Sequence, residues 1–347
     1  MKSLFIMGMA GSGKTAVAIG LAVKFRQEGY KVAYFKPVGS TGRGAEDQDA
    51  LLMRDLLDMK APPETIVPCI TGPSYLSRNK SKDRKEAILA AYREVSQGAD
   101  IVLIDGATFP YAMAANNMDS VSLAGELKAM ALNVIQVKND FSLDLAIFFN
   151  RYLAGRGVPC LGNLFNHVQR PLLAKIEGVY LPILEGMGFK TLGVIPVRTE
   201  IASPTVAEYQ EALGGEVLAG EDRMDRLVEE VLVGAMNLES AFQYLRRTAN
   251  KALILGGDRA DLALAALETN TSALILTGGL YPDVRVLARA AEKGVPVLLV
   301  HLDTYSTIEI LSRVTRQIRP GDTRGVQMAL SNIEQHCRWQ DILAALQ

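Results

Sequence analysis

The sequence predicts an α/β protein of two domains, each built on a largely parallel sheet, and three observations predict it. Short apolar, β-rich runs alternate with segments of helical periodicity through most of the chain, as repeated βα units do. The rhythm loosens after Pro196 and resumes near residue 252. The length of 347 residues exceeds one typical core and falls near a two-domain prior.

Taken in order, strands are expected over 3–7, 31–35, 101–104, 133–137, 160–165 and 191–195, with helices over 14–28, 83–97, 120–131, 142–154 and 171–187. Runs such as Leu4-Phe5-Ile6-Met7 and Ile101-Val102-Leu103-Ile104 are apolar throughout, which marks strands covered on both faces. Beyond Pro196, Pro204 opens a short segment and Gly214-Gly215 breaks it. Two helical stretches, 222–233 and 238–247, follow without a strong strand between them. The boundary is placed at Gly214, giving a first domain over 1–214. Residues 215–347 are read as a smaller α/β domain with a helical lead-in and C-terminal helices. Its strands are expected over 252–255, 273–276 and 297–300, and its helices over 259–268, 284–293 and 304–318.

Composition narrows the function. Hydrophobic residues make up 49% and charged residues 22%, enough apolar material for packed interiors. Net charge is -1 and no Lys/Arg run is present, so neither a nucleic-acid backbone nor an anionic membrane is the expected partner, and a small molecule is. Cys69, Cys160 and Cys337 are isolated, and His167, His301 and His336 are scattered, so no zinc site or disulfide framework is expected. The N-terminal apolar run is broken by glycines and ended by Lys14, unlike an export signal, and the expected address is the cytoplasm.

Residues 8–15 read Gly-Met-Ala-Gly-Ser-Gly-Lys-Thr, a full match to G-x-x-x-x-G-K-[ST], preceded by a strand run and followed by Val17, Leu21 and Phe25 at helical spacing. Glycines let successive N–H groups turn inward as an anion nest, and the helix aims its positive end at the same point. The ligand expected is ATP with Mg²⁺. Gly8, Gly11, Ser12, Gly13, Lys14, Thr15 and Ala16 would contact the phosphates, Lys14 would neutralise them, and the Thr15 hydroxyl would reach the cation. The competing reading is a glycine-rich βα turn that binds nothing.

Four further side chains fall at the same sheet edge or in the loop and helix start that follow it. Lys36 ends the second strand and either reaches a transferring phosphoryl group or is solvated. Asp47 and Asp49 either hold Mg²⁺ or cap a helix. Asp105 ends an apolar strand before Gly106, as a metal-side acid does.

These elements resemble dethiobiotin synthetase and its P-loop relatives over roughly residues 1–212, through the loop 8–15, Lys36-Pro37-Val38-Gly39-Ser40, Asp49 within Gln48-Asp49-Ala50-Leu51, and Asp105-Gly106. The resemblance implies a parallel-sheet P-loop NTPase domain. Lys14, Lys36 and Asp105 would act in catalysis, Thr15, Asp49 and Asp105 would hold the metal, and Asn166 in Leu164-Phe165-Asn166 would read adenine. It also implies a homodimer. The chain departs from that family where it reads Asp105-Gly106-Ala107-Thr108-Phe109-Pro110 in place of Glu and a glycine-rich run, and Gly8-Met9-Ala10-Gly11 in place of Gly-Thr-Asp-Thr.

The second domain resembles a DRTGG domain through Gly257-Asp258-Arg259 and Leu276-Thr277-Gly278-Gly279. A P-loop domain followed by this one is the layout of the N-terminal part of long phosphate acetyltransferases. The acetyltransferase domain itself would need about 300 more residues, so acetyl transfer is not expected. Asp258 and Gly278-Gly279 can serve simply as a cap and a turn. Alternatively Arg259, Thr277 and the Gly278 and Gly279 amides, with Asp303 and Thr304, converge on a small ligand or anion. Two functions follow: ATP hydrolysis or phosphoryl transfer to a carboxylate-type acceptor, or a nucleotide-responsive regulatory module acting on a protein partner.

Overall fold

The computed structural model describes residues 2–40, 47–72, 74–77, 81–312, 314 and 316–347. They fall into two compact units, one of Met1–Arg198 with Ile318–Gln347 and one of Thr199–Gln317.

The first unit holds β1 (Lys2–Met7), β2 (Val32–Phe35), β3 (Gly39–Ser40), β4 (Ile70–Thr71), β5 (Ile101–Asp105), β6 (Met130–Gln136), β7 (Cys160–Val168) and β8 (Thr191–Pro196). Six of them form one parallel sheet in the order β2-β5-β1-β6-β7-β8, while β3 and β4 pair separately. Leu4, Phe5, Ile6 and Met7 are all fully buried, as the two-sided apolar run required. Because the sheet is parallel, β1, β2, β5, β6 and β7 all end on one edge. Ile6 lies in register with Asp105, and the Gly106 amide donates to the Ile6 carbonyl, so Asp105 is fixed at the base of the turn that follows β1.

Helices cover both faces. Lys14–Gln27 starts directly after the glycine turn, and Gln48–Leu57 is capped by Asp47, whose carboxylate accepts from the Asp49 and Ala50 amides. The helix expected over 171–187 contains a π-helical turn at Ile176–Tyr180 between two α-helical pieces.

The second unit holds β9 (Glu216–Ala219), β10 (Glu230–Val233), β11 (Lys251–Gly256), β12 (Thr271–Thr277) and β13 (Val297–Leu299), ordered β10-β11-β12-β13-β9. Only β9 runs antiparallel. The two-residue period of the strands sorts their side chains into two cores. Leu253, Leu255, Leu274 and Leu276 face one, and Ala252, Ile254, Ala273 and Ile275 the other.

Two expectations are corrected here. Residues 222–233 are not a helix: a short turn at Glu221–Arg223 leads to the parallel edge strand β10, and β9 supplies a strand where none was expected. Short edge strands with charged ends carry little periodicity to read. The second correction concerns the C-terminal helices, Thr323–His336 and Trp339–Ala345, read from sequence as part of 215–347. They pack in the first unit, where Gly20 lets the Ala329 backbone approach and Lys24 lies 4.5 Å above the Trp339 ring. The first unit begins to yield to the second at Thr199 rather than at Gly214, which caps the helix Val206–Leu213 in a left-handed conformation. No helix among the described residues is long and apolar enough to cross a membrane.

Candidate nucleotide site on the first sheet

The turn after β1 takes the shape its glycines permit. Gly11 and Gly13 adopt φ of 71° and 83°, the region that favours glycine, and Gly13 is the first residue of the helix cap. A β-carbon at Gly13 would collide with the Asn166 amide, and one at Gly8 with the Val134 carbonyl. The loop is therefore both curled and closely backed, as a cradle for an anion must be.

Lys14 is buried and its ammonium donates to the carbonyls of Gly8 at 3.0 Å and Met9 at 3.2 Å, closing the loop on itself. Burial lowers its pKa, with the Asp105 charge opposing. Thr15, one residue on, donates its hydroxyl to Oδ2 of Asp105 at 2.8 Å. The same oxygen accepts from the Tyr34 hydroxyl at 2.9 Å. Oδ1 of Asp105 is buried and has no hydrogen-bond partner among the described residues, and neither has the Ser12 hydroxyl. Burial raises the Asp105 pKa, and the charges of Lys36 and Lys14 pull it back.

Lys36, just past the end of β2, lies 2.8 Å from Asp47 and 2.7 Å from Asp49, with all three side chains largely shielded. Burial works to lower the Lys36 pKa, but the charges of Asp49 and Asp47 override it and hold the group above the ordinary lysine range. It is not the solvated surface lysine of the alternative reading. Asp47 both caps the helix and pairs with Lys36, while Asp49 pairs with Lys36.

Loop, Lys14, Thr15, Asp105, Lys36 and Asp49 thus share one edge and one set of mutual charges. A buried carboxylate oxygen with unused lone pairs beside a hydroxyl suits Mg²⁺, which takes one or two protein oxygens and completes its shell with phosphate and water. Among the described residues no cluster of three or more acidic, His or Cys side chains is assembled to hold a metal.

Asn166, expected to read adenine, donates its side-chain amide N–H to the Ser12 carbonyl of the loop at 2.8 Å. Its neighbour His167 sits at φ 54° under the same turn, with its pKa lowered by burial. Sequence reasoning missed Tyr34. The available signal was a tyrosine inside a fully apolar strand, whose hydroxyl must find an acceptor when buried.

In the second unit the expected convergence does not form as drawn. The Gly278 and Gly279 amides already donate to the Leu302 and Val300 carbonyls, so they cannot also face an anion. Arg259 pairs with Asp261 and the Met236 carbonyl, and Asp303 caps the helix Thr304–Leu311. What the strand ends do bring together is the Thr277 and Thr304 hydroxyls, 3.0 Å apart, while Asp258 folds over Gly256.

Comparison with known proteins follows these two units. The phosphate acetyltransferase of Pseudomonas putida is 24% identical over 344 residues, which is 94% of this chain and 49% of that protein. That of Nitratidesulfovibrio vulgaris is 24% identical over 356 residues, again 94% and 49%. The chain spans about half the length of the curated relatives it matches. Among solved structures, an ATP complex of a Cyanothece McdA variant is 18% identical with a TM-score of 0.38, over 58% of this chain and 85% of that one. The CBS and DRTGG domains of Clostridium perfringens pyrophosphatase, complexed with diadenosine tetraphosphate, are 15% identical with a TM-score of 0.31, over 48% and 85%. A DRTGG domain model matches residues 208–314. With an AAA domain model matching residues 2–205, more than half of its length, the chain belongs to that P-loop family and carries a DRTGG domain after it.

Proposed function

We propose that the first unit binds ATP with Mg²⁺ on Gly8–Thr15 and either hydrolyses it or transfers its γ-phosphoryl group to a small carboxylate-type acceptor. The observation that carries this reading is the divided Asp105 carboxylate. One oxygen is fixed by Thr15 and Tyr34, and the other is buried without a partner beside the phosphate loop. Bound MgATP would supply an activated phosphoryl group whose negative charge must be neutralised as it moves. The chain's own residues suit that task. The loop amides and Lys14 would bind the phosphates, and Thr15 and Asp105 would hold the cation. Lys36 stays charged between Asp47 and Asp49 at the neighbouring strand end, a fixed cation for a group in transfer.

Titration calorimetry on the full chain with ATP, in the presence and absence of Mg²⁺, tests the binding step. Phosphate release with and without added carboxylate metabolites tests the chemistry. Mg²⁺-dependent binding that Lys14→Ala weakens by about tenfold or more, roughly 1.4 kcal/mol, supports the site. No heat at millimolar ATP in a folded sample removes it.

A second reading is favoured by the match of nearly the whole chain to one half of phosphate acetyltransferases. Here the chain is a nucleotide-responsive regulatory module, with a small ligand meeting Asp258, Arg259 and Thr277 in the DRTGG domain. Slow turnover that no metabolite stimulates, together with an ATP affinity altered by Arg259→Ala, would favour this reading over the enzyme.

A further inference from the structure

We propose that a cavity at the end of the first sheet opposite the phosphate loop binds a small soluble anion carrying phosphate groups. The cavity holds about 460 Å³, within the size range of small-molecule sites. It is bounded by the start of β1, by the helix Ser81–Val95 and by the turn that ends the helix Ser120–Glu126. Because β1 runs from Lys2 to the residue before Gly8, this cavity and the loop lie at opposite ends of one strand.

The charge around the cavity is one-sided. Lys2, Arg93 and Lys128 line it, and none of the three is paired with a carboxylate among the described residues. The acid on the lining, Glu126, is already engaged by Lys85 at 2.5 Å. Cations gathered around one concave space without counter-charge raise the local concentration of anions. The whole chain carries a net charge of -1, so the excess is local. A further donor comes from Ser3 and Tyr92, whose hydroxyls lie 2.5 Å apart on the same lining. One O–H donates to the other, and the second keeps its own proton for a ligand.

The backbone shows that Lys128 is not there by default. Its φ is 50°, and its amide and that of Ala129 close the helix end on the Gly125 and Ala124 carbonyls at 3.1 and 2.9 Å. Glycine fills such a position without strain. Other helices of this chain do close on left-handed glycines, among them Gly29, Gly157, Gly188 and Gly294, and one closes on Asp58, a residue type that tolerates the conformation. Lysine is not such a type. A lysine held in a costly conformation beside two unpaired cations is a side chain kept for what it contacts.

Lysine acylation mapped by mass spectrometry on the full chain tests the proposal, with inorganic pyrophosphate as the probe and Lys2 as the reporter. Reading Lys2 separates this cavity from the phosphate loop, which Lys14 reports. At low salt, about 1 mM pyrophosphate is expected to slow Lys2 labelling by about threefold or more, and added salt should remove the effect. Lys128→Gly should abolish that protection while the melting temperature holds or rises, because the substitution removes a cation and relieves the left-handed turn. Arg93→Gln, at an exposed position, should abolish it too. Lys2 labelling unchanged by pyrophosphate up to about 10 mM overturns the proposal. So does protection that survives both substitutions, which would be general screening. Protection by vesicles containing phosphatidic acid but not by pyrophosphate also overturns it, and gives the cations to a lipid surface.

Discussion

Tyr34 donates its hydroxyl to Oδ2 of Asp105 over 2.9 Å, from the strand paired alongside. With Thr15 on the same oxygen, the bond fixes the carboxylate's rotation and directs Oδ1 to stand unpaired. Both side chains are essentially inaccessible to solvent, and burial, together with the Asp105 charge, keeps the Tyr34 phenol protonated. Tyr34 is thus a positioning residue for the proposed cation site.

Tyr34→Phe keeps the ring and removes only the donor. Loss of one buried hydrogen bond should cost about 1 kcal/mol of stability. The informative effect is on the cation, because groups that orient a metal ligand change metal affinity by about 10- to 100-fold when lost. The Mg²⁺ concentration for half-maximal ATP binding should rise on that scale. A lower melting temperature with an unchanged Mg²⁺ requirement would reduce Tyr34 to packing.

Lys36 and Lys14 should separate in their effects. Lys14 belongs to the loop, and its removal should act on nucleotide affinity. Lys36 pairs with Asp47 and Asp49, where Lys14 bonds the loop carbonyls, so Lys36→Ala should leave ATP affinity within a few-fold. Turnover should fall by about 10²- to 10³-fold, as for loss of one preorganised donor to a transition state. The variant also leaves two shielded carboxylates without their cation, so thermal melts must accompany the kinetics. Equal loss of affinity and turnover would place Lys36 in ground-state binding instead.

How far the chain could be read from its residues varied with the kind of signal. The strand cores and the glycine loop were legible because a run such as Leu4-Phe5-Ile6-Met7 and a turn spaced by Gly8, Gly11 and Gly13 each carry their own physical reason. The edge of the second sheet was not, since Glu230–Val233 is four residues long and its pairing with β11 is decided by tertiary contact. Nor could Asn166 be placed, because its partner is a carbonyl 154 residues away. The placement of Thr323–His336 in the first unit was hidden for the same reason. Its only local clue was a glycine, Gly20, inside a helix that had no need of one.

That glycine makes a prediction of its own. A β-carbon at Gly20 would lie 2.5 Å from the Ala329 carbonyl and 2.6 Å from Ile333 Cγ1. In an isolated helix Gly20→Ala would help by up to about 1 kcal/mol. Here overpacking against a helix backbone should destabilise by about 1–3 kcal/mol. The sign is checked by urea unfolding of the full chain. Stabilisation would mean that the helix Thr323–His336 does not pack where Gly20 admits it.

Lys251 opens β11 fully buried, and among the described residues its ammonium meets only neutral acceptors: the Thr248 and Asn270 carbonyls and the Thr269 hydroxyl. Burial without a counter-charge lowers its pKa from 10.5 to about 8. Below about pH 8 both folded and unfolded chains carry the proton, and the folded state bears the full penalty of a desolvated charge. Between about 8 and 10.5 the unfolded chain still binds a proton that the folded chain has released, so stability rises with pH across that window. Lys251→Met removes the titration and supplies the reference. The difference in unfolding free energy, wild type minus variant, should therefore move in favour of the wild type as pH is raised from 7 to 10, within the window set by the lowered lysine. Urea unfolding followed by circular dichroism at several pH values measures it. A difference that stays flat with pH would mean that the three acceptors hold Lys251 charged through the whole range.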